Sequence, residues 1–275
     1  YSAENRPAGG HPCAADATHD VAAMKQLLRN LITLARGGYL PEDRSGEFEQ
    51  VLEGLPPYAI DEDGGLKEWL WPGLRNNNAH RHASHLYPLF DGIPEEIARS
   101  PELQAAFRKS IEHKLDKHWT NNQRGFMSFG LVQLGQAATS LGESELAYHC
   151  LRHLVNRFWL NNLASMHNHR SLFNMDISGG MPAVIIKMLV ASQSGKVTLL
   201  PALPKSWHSG QVAGLCARGG FTVDISWKDG AVTEYRVASN EPRSVKIRFN
   251  GEEKTSHIRA EDEILRYMDV VIKEK

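Results

Sequence analysis

Between Gly64 and Phe90 the chain reads GGLKEWLWPGLRNNNAHRHASHLYPLF, which places a carboxylate, two tryptophans, three asparagines and three histidines with an arginine among them within a short reach. Glu68 follows a glycine pair and sits against Trp69, Leu70 and Trp71. An apolar wall of that kind raises a carboxyl pKa and can keep it protonated at neutral pH, as a general acid requires. The plainer reading is a surface carboxylate beside core tryptophans. His80, His82 and His85 form an H-x-H-x-x-H array. Imidazoles at that density could ligate a metal, contact a hydroxyl-rich ligand or cap the following loop. Arg81 would place a permanent cation inside a metal shell, which weighs against the first.

A second candidate lies in LFNMDISGGMP, where Asp176 stands among Phe173, Met175 and Ile177. A carboxylate in so apolar a setting is costly unless it has a partner or a task. It could instead cap a helix expected to begin near Pro182. The segment MHNHR brings His167, His169 and Arg170 near it in sequence. Gly179-Gly180 is no phosphate loop, since no lysine or serine follows in place. No G-x-S-x-G elbow occurs either, which disfavours acyl transfer.

The elements that must position these residues are helical over the first two-thirds. Val21, Met24, Leu27, Leu28, Leu31 and Leu34 recur at spacings of three and four until Gly37-Gly38, which predicts a helix with one buried face. Further helices are expected from Pro94 or Pro101 to about Leu115, from Phe126 to Ser140, from Ser144 to Phe158 and from Pro182 to Ser192. Phe221, Val223, Ile225 and Trp227 then alternate with polar residues, and Asp229-Gly230 and Asn250-Gly251 are hairpin signals. The expected organisation is residues 1–197 as a helical catalytic region and 198–275 as a small antiparallel β domain. No internal repeat stands out.

With 275 residues, 41% of them hydrophobic, the chain has apolar material for one large domain or two smaller ones. A formal net charge of -1 and no basic tract speak against nucleic acid. The run from Ala183 to Val190 is interrupted by Lys187 and too short to span a bilayer. Cys13, Cys150 and Cys216 are scattered and odd in number, which favours neither a disulfide framework nor a paired-cysteine zinc site. The sequence starts without methionine and without a signal pattern, so it is expected to be cut at its N-terminus, and the compartment is unassigned.

The segments YSAEN, LPPYAIDEDGGLKEWL, HRHASHLYPLF, the Asp176 segment and LLPALPKSWHSGQVAGLCARGGFTVDISWKDG together resemble the C-terminal half of glycoside hydrolase family 95. That family comprises inverting α-L-fucosidases and α-L-galactosidase relatives. The resemblance implies a mainly α fold, a partial (α/α)6 toroid whose N-terminal helices are missing here, followed by a small antiparallel β domain. It implies an oligosaccharide or glycoconjugate substrate, no cofactor, no metal, no membrane span, and a secreted or periplasmic location. It carries the general acid to Glu68, and to Asp176 the aspartate that polarises water-activating asparagines, which themselves lie upstream of the matched region. Asn76, Asn77 and Asn78 are therefore not their counterparts. The resemblance places Arg81 and His82 in the basic segment around the sugar; Trp69, His169 and Asn174 are further candidate substrate contacts, and Trp69 or Trp71 would offer an apolar face to the sugar's methyl-bearing edge. Inversion would set the two carboxyl groups roughly 6.5 to 9.5 Å apart, with water between. The family's Q-I-D-G-N-F-G is NMDISGG here, so a non-catalytic glycan-binding member is the alternative. A metal-dependent hydrolase built on the histidines is a third. A partial ring would leave apolar helix faces open, at about 25 cal/mol per Å².

Overall fold

The computed structural model describes residues 5–9, 14–40, 44–120, 127–169 and 171–259. Arg170, Cys13, Phe126 and the segment 260–275 lie outside them. Contacts divide the chain into two compact units, Tyr1–Ala137 and Ala138–Lys275. Helices precede a largely antiparallel β region, as the sequence predicts.

In the first unit α1 (Thr18–Arg36) ends where expected, with Gly37 at its C-cap and Gly38 at a φ of 72°. Its buried side chains are Thr18, Val21, Ala22, Lys25, Leu28, Ile32 and Ala35, whereas Met24, Leu27 and Leu34 are exposed. The expected single buried face is thus split. Half of the apolar stripe turns inward, and Lys25 joins it because Glu96 lies 3.2 Å away and the Tyr58 ring 4.2 Å away. α2 (Ser45–Glu53), α3 (Glu95–Ala98), α4 (Pro101–Thr120) and α5 (Ser128–Ser140) follow, with a 3-10 turn at Ser84–Leu89 between α2 and α3. α2 and that turn were not anticipated. Neither has the long apolar period that marks a helix in sequence.

The second unit opens with α6 (Ser144–Phe158), at the expected boundaries. A short hairpin, β1 (Met166–Asn168) and β2 (Ser171–Phe173), leads into α7 (Asp176–Leu189). This helix begins six residues ahead of the expected start at Pro182 and carries that proline and Gly179-Gly180 inside it. Glycines and proline are poor helix formers. Buried Ile177, Val184 and Met188 hold the helix by packing, which outweighs the local preference.

Two sheets complete the unit. β3 (Val190–Gln193), β4 (Lys196–Leu199), β8 (Arg243–Phe249) and β9 (Glu252–Ile258) form one, in the order β3-β4-β8-β9. β5 (Ser209–Ala217), β6 (Phe221–Lys228) and β7 (Ala231–Ser239) form the other. Every pairing is antiparallel except β4 with β8, so the expected all-antiparallel arrangement holds for all but one ladder. Phe221, Val223, Ile225 and Trp227 point inward together and share a core with Val197, Leu199, Val245 and Ile247. Asp229-Gly230 and Asn250-Gly251 turn their hairpins with positive φ at both residues, the geometry Asp-Gly and Asn-Gly favour.

Candidate functional site

The Leu66–Leu70 segment belongs to no regular sheet, yet its backbone is satisfied almost group by group. Leu66 N–H donates to Ser110 Oγ at 2.8 Å and its carbonyl accepts from Asn76 Nδ2 at 2.8 Å. Lys67 N–H donates to the Ala59 carbonyl, and the Lys67 carbonyl accepts from Thr18 Oγ1 at 2.5 Å. Glu68 N–H donates to Asn76 Oδ1 at 2.7 Å, and the Glu68 carbonyl accepts from Thr18 N–H at 2.9 Å. The Asn76 amide thereby stands in for a neighbouring strand. Asn78 Nδ2 donates to Asp63 Oδ2 at 3.1 Å, so two of the three asparagines brace this loop.

The Glu68 side chain has no exposed surface. Its Oε2 accepts from Asn5 Nδ2 at 2.7 Å and lies 3.8 Å from His85 Nδ1. Asn5 Nδ2 also reaches the Asn77 carbonyl at 3.3 Å. From α4, the buried Lys114 ammonium donates to the carbonyls of His80, at 3.1 Å, and Asn77, at 3.5 Å. Burial lowers the Lys114 pKa, and the Glu68 charge opposes that shift. His85 is pushed well below the usual imidazole range by burial and then by Lys114, so it is neutral at pH 7. Its 3.8 Å approach to Glu68 is therefore neither an ion pair at that pH nor a hydrogen bond. Both His85 ring nitrogens are buried without a hydrogen-bond partner among the described residues. Trp69 is buried, but the groups found at the Glu68 carboxylate are polar ones drawn from distant segments.

Trp69 is fully buried, while Trp71 is 54% exposed. Of the two indoles, only Trp71 offers a face that a sugar could reach. His82 is buried, its ring edge-on to His80 at 5.0 Å and to Phe129 at 5.6 Å, and its backbone N–H donates to His80 Nδ1. Arg81 is partly buried. The described residues contain no group of three or more His, Cys, Asp or Glu side chains placed to hold a metal ion.

In the second unit Asp176 is exposed and is the first residue of α7. Its apolar neighbours Phe173 and Met175 are exposed as well, so it escapes the desolvation that its sequence setting suggested. Asn174 Nδ2 donates to Asp176 Oδ2 at 2.9 Å, and Asn174 Oδ1 accepts from Ile177 N–H at 3.4 Å. Asn174 thus touches both the carboxylate and the first turn of the helix. Its backbone is pinned in turn by the buried Ser165, whose carbonyl accepts from Asn174 N–H at 3.0 Å and whose hydroxyl donates to the Asn174 carbonyl. His169 is exposed and its Nδ1 meets the Arg157 carbonyl at 3.0 Å. Asn5 and Lys114 carry no motif in the sequence, and His85 stands out there only as part of the histidine array, not as a neighbour of Glu68. Only the lysine amid the apolar residues of α4 carried a signal, as a charge on a face that must be buried.

A profile described as "Glycosyl hydrolase family 95 catalytic domain" matches residues 1–189. The chain belongs to glycoside hydrolase family 95. A second profile, "Glycoside hydrolase family 95, C-terminal domain", matches residues 191–270. Among curated relatives, "Alpha-L-fucosidase 2" of Arabidopsis thaliana is 32% identical over 246 residues, covering 85% of this chain and 28% of that protein. "Probable alpha-fucosidase A" of Aspergillus niger is 25% identical over 190 residues, 65% of this chain and 24% of that one. The family 95 chain therefore spans about a quarter of the length of these relatives. A solved structure titled "Putative kojibiose phosphorylase from human microbiome" aligns with 88% of the chain and 37% of its own, at 10% identity and a TM-score of 0.40, a distant likeness.

Proposed function

We propose that the full polypeptide carrying this chain is an exo-acting glycoside hydrolase, releasing terminal α-L-fucose or a closely related sugar with inversion. The family match over residues 1–189, together with relatives named as α-fucosidases, is the observation that carries this reading. Asp176 fits a part in it. An exposed carboxylate at a helix start, already holding an asparagine amide at 2.9 Å, has the geometry needed to polarise an amide that in turn orients water. We assign sugar contacts to Asn174 and His169 in the second unit and, separately, to Trp71 and Arg81 in the first. The open stripe Met24, Leu27 and Leu34 on α1 is the surface we assign to packing against helices from the rest of the polypeptide. The catalytic region would hand over to the β domain where α7 passes directly into β3, ahead of residue 198.

For Glu68 two readings stand. The family resemblance makes it the general acid. Its zero exposure and its bond to Asn5 favour a second, in which it is a buried anchor that positions the site. Leaving-group dependence separates them. If Glu68 is the acid, Glu68→Gln in the full-length product slows alkyl fucosides far more than nitrophenyl fucosides, whose leaving group needs no proton. If it is an anchor, both slow equally and the melting temperature falls.

Hydrolysis of aryl α-L-fucoside and aryl α-L-galactoside by the full-length product tests the function. The expected result is cleavage of at least one, with the β-anomer as first product by NMR and turnover abolished in Asp176→Asn. Binding of fucosylated glycans without any product would replace this reading with that of a non-catalytic family member.

A further inference from the structure

The second unit holds a groove of about 560 Å³ at the junction of α6, the LPALPKSW segment and the β6–β7 turn. That size lies within the range of small-ligand pockets. Its walls are fixed. Trp227 Nε1 donates to the Trp207 carbonyl at 2.9 Å, Gly230 N–H to the His208 carbonyl at 3.1 Å, and Lys205 N–H to Glu145 Oε1 at 2.8 Å. The Trp207 ring stands edge-on to Tyr148 at 5.8 Å. Backbone and aromatic anchors from three separate elements thus hold the groove open without using the functional groups around it. Lys205, His208 and Asp229 line it, and among the described residues none of their three side chains makes a hydrogen bond or ion pair.

This chemistry selects among ligands. An indole beside Leu203 and Pro201 offers an apolar wall of the kind that packs against the C–H face of a pyranose. A cation, an imidazole and a carboxylate around the same space supply donors and acceptors for a ring of hydroxyls. One lysine opposed by one aspartate gives no net positive field, which disfavours a phosphate or other anion. The groove is too polar at its rim for a wholly apolar ligand.

We propose that this groove is an accessory binding site for a neutral oligosaccharide, gripping a part of the glycan other than the sugar that is cleaved. Trp207 provides the stacking surface, and Lys205, His208 and Asp229 the hydroxyl contacts. It rests on the reading of the polypeptide as a glycan-acting protein, but its test does not need turnover.

Cellotetraose and lacto-N-tetraose, neither of which carries fucose, are titrated against the full-length product by saturation-transfer NMR. The decisive variant is Lys205→Ala/Asp229→Asn. Asparagine keeps the turn, because Asp229 sits at a φ of 52°, which asparagine tolerates. Binding of at least one tetrasaccharide by wild type, weakened about tenfold or more in the double variant at unchanged melting temperature, supports the site. Trp207→Phe should weaken it by a smaller factor. If neither tetrasaccharide binds wild type, or the double variant binds as wild type does, the proposal is overturned. Where the enzyme turns over, kcat and KM for aryl fucoside should be unchanged in the double variant, while KM for a long fucosylated oligosaccharide rises. Absence of turnover with intact tetrasaccharide binding would overturn the proposed hydrolase and keep the groove.

Discussion

The carboxylate of Glu68 has no exposed surface and is met by Asn5 and approached by His85, both from other segments, whereas that of Asp176 stands exposed and is held by a residue two positions away. The same group therefore has its needs met in opposite ways. A sealed carboxylate must find its donors within the protein, because a buried charge without them costs several kcal/mol. An open one keeps lone pairs free for water or a ligand. The lesson is that burial turns a reactive group into a constraint on the fold, and exposure leaves it available for chemistry.

The contrast breaks first under truncation. Glu68→Ala leaves the Asn5 amide without its acceptor and a void where a fully buried side chain stood, so a loss of about 2 to 5 kcal/mol is expected in denaturant unfolding of the full-length product. Asn5→Ala removes one hydrogen bond to that carboxylate and should cost about 1.5 to 3 kcal/mol. If both variants melt as wild type does, Glu68 is not an anchor.

Acid sharpens the comparison from another side. His153 of α6 is held down to about 4 by burial first, then by Arg157, His149 and His169. Its folded pKa lies below its unfolded value of 6.5, so the unfolded chain takes up the proton first. The stability it contributes is present above pH 6.5 and is lost as pH falls toward 4, on the order of 2 kcal/mol. His85 acts in the same direction. The melting temperature should fall over that window, and less steeply in His153→Asn. Asp176→Ala completes the series at the small end. Its stability change should stay within about 0.5 to 1 kcal/mol even as turnover disappears, because it loses only an exposed hydrogen bond and a helix-start charge.

Elements written in local sequence were legible. Ser144–Phe158 and the two β hairpins follow from periodicity and turn chemistry that need nothing beyond a few neighbours. The start of α7 was not, because Gly179-Gly180 and Pro182 read as a break while the packing that overrides them is tertiary. The candidate site was half legible. Asp176 and Asn174 are near neighbours and were both singled out. The Glu68 setting depends on Asn5, 63 residues away, and on Lys114 from α4, pairings that no local pattern encodes. The sequence context of Asp176 even misled, since its apolar neighbours turn outward.

Trp69 and Trp71 sit two residues apart, one sealed with its indole nitrogen unpartnered among the described residues and the other more than half in water. The segment bearing Glu68 thus carries its own optical gauge. Trp69 should emit at short wavelength and resist acrylamide, while Trp71 should emit at long wavelength and quench readily. Trp69 is one of six tryptophans in the chain, so the wild-type spectrum minus that of Trp69→Phe isolates its light, and solvent entry around the carboxylate would appear as a red shift in that difference.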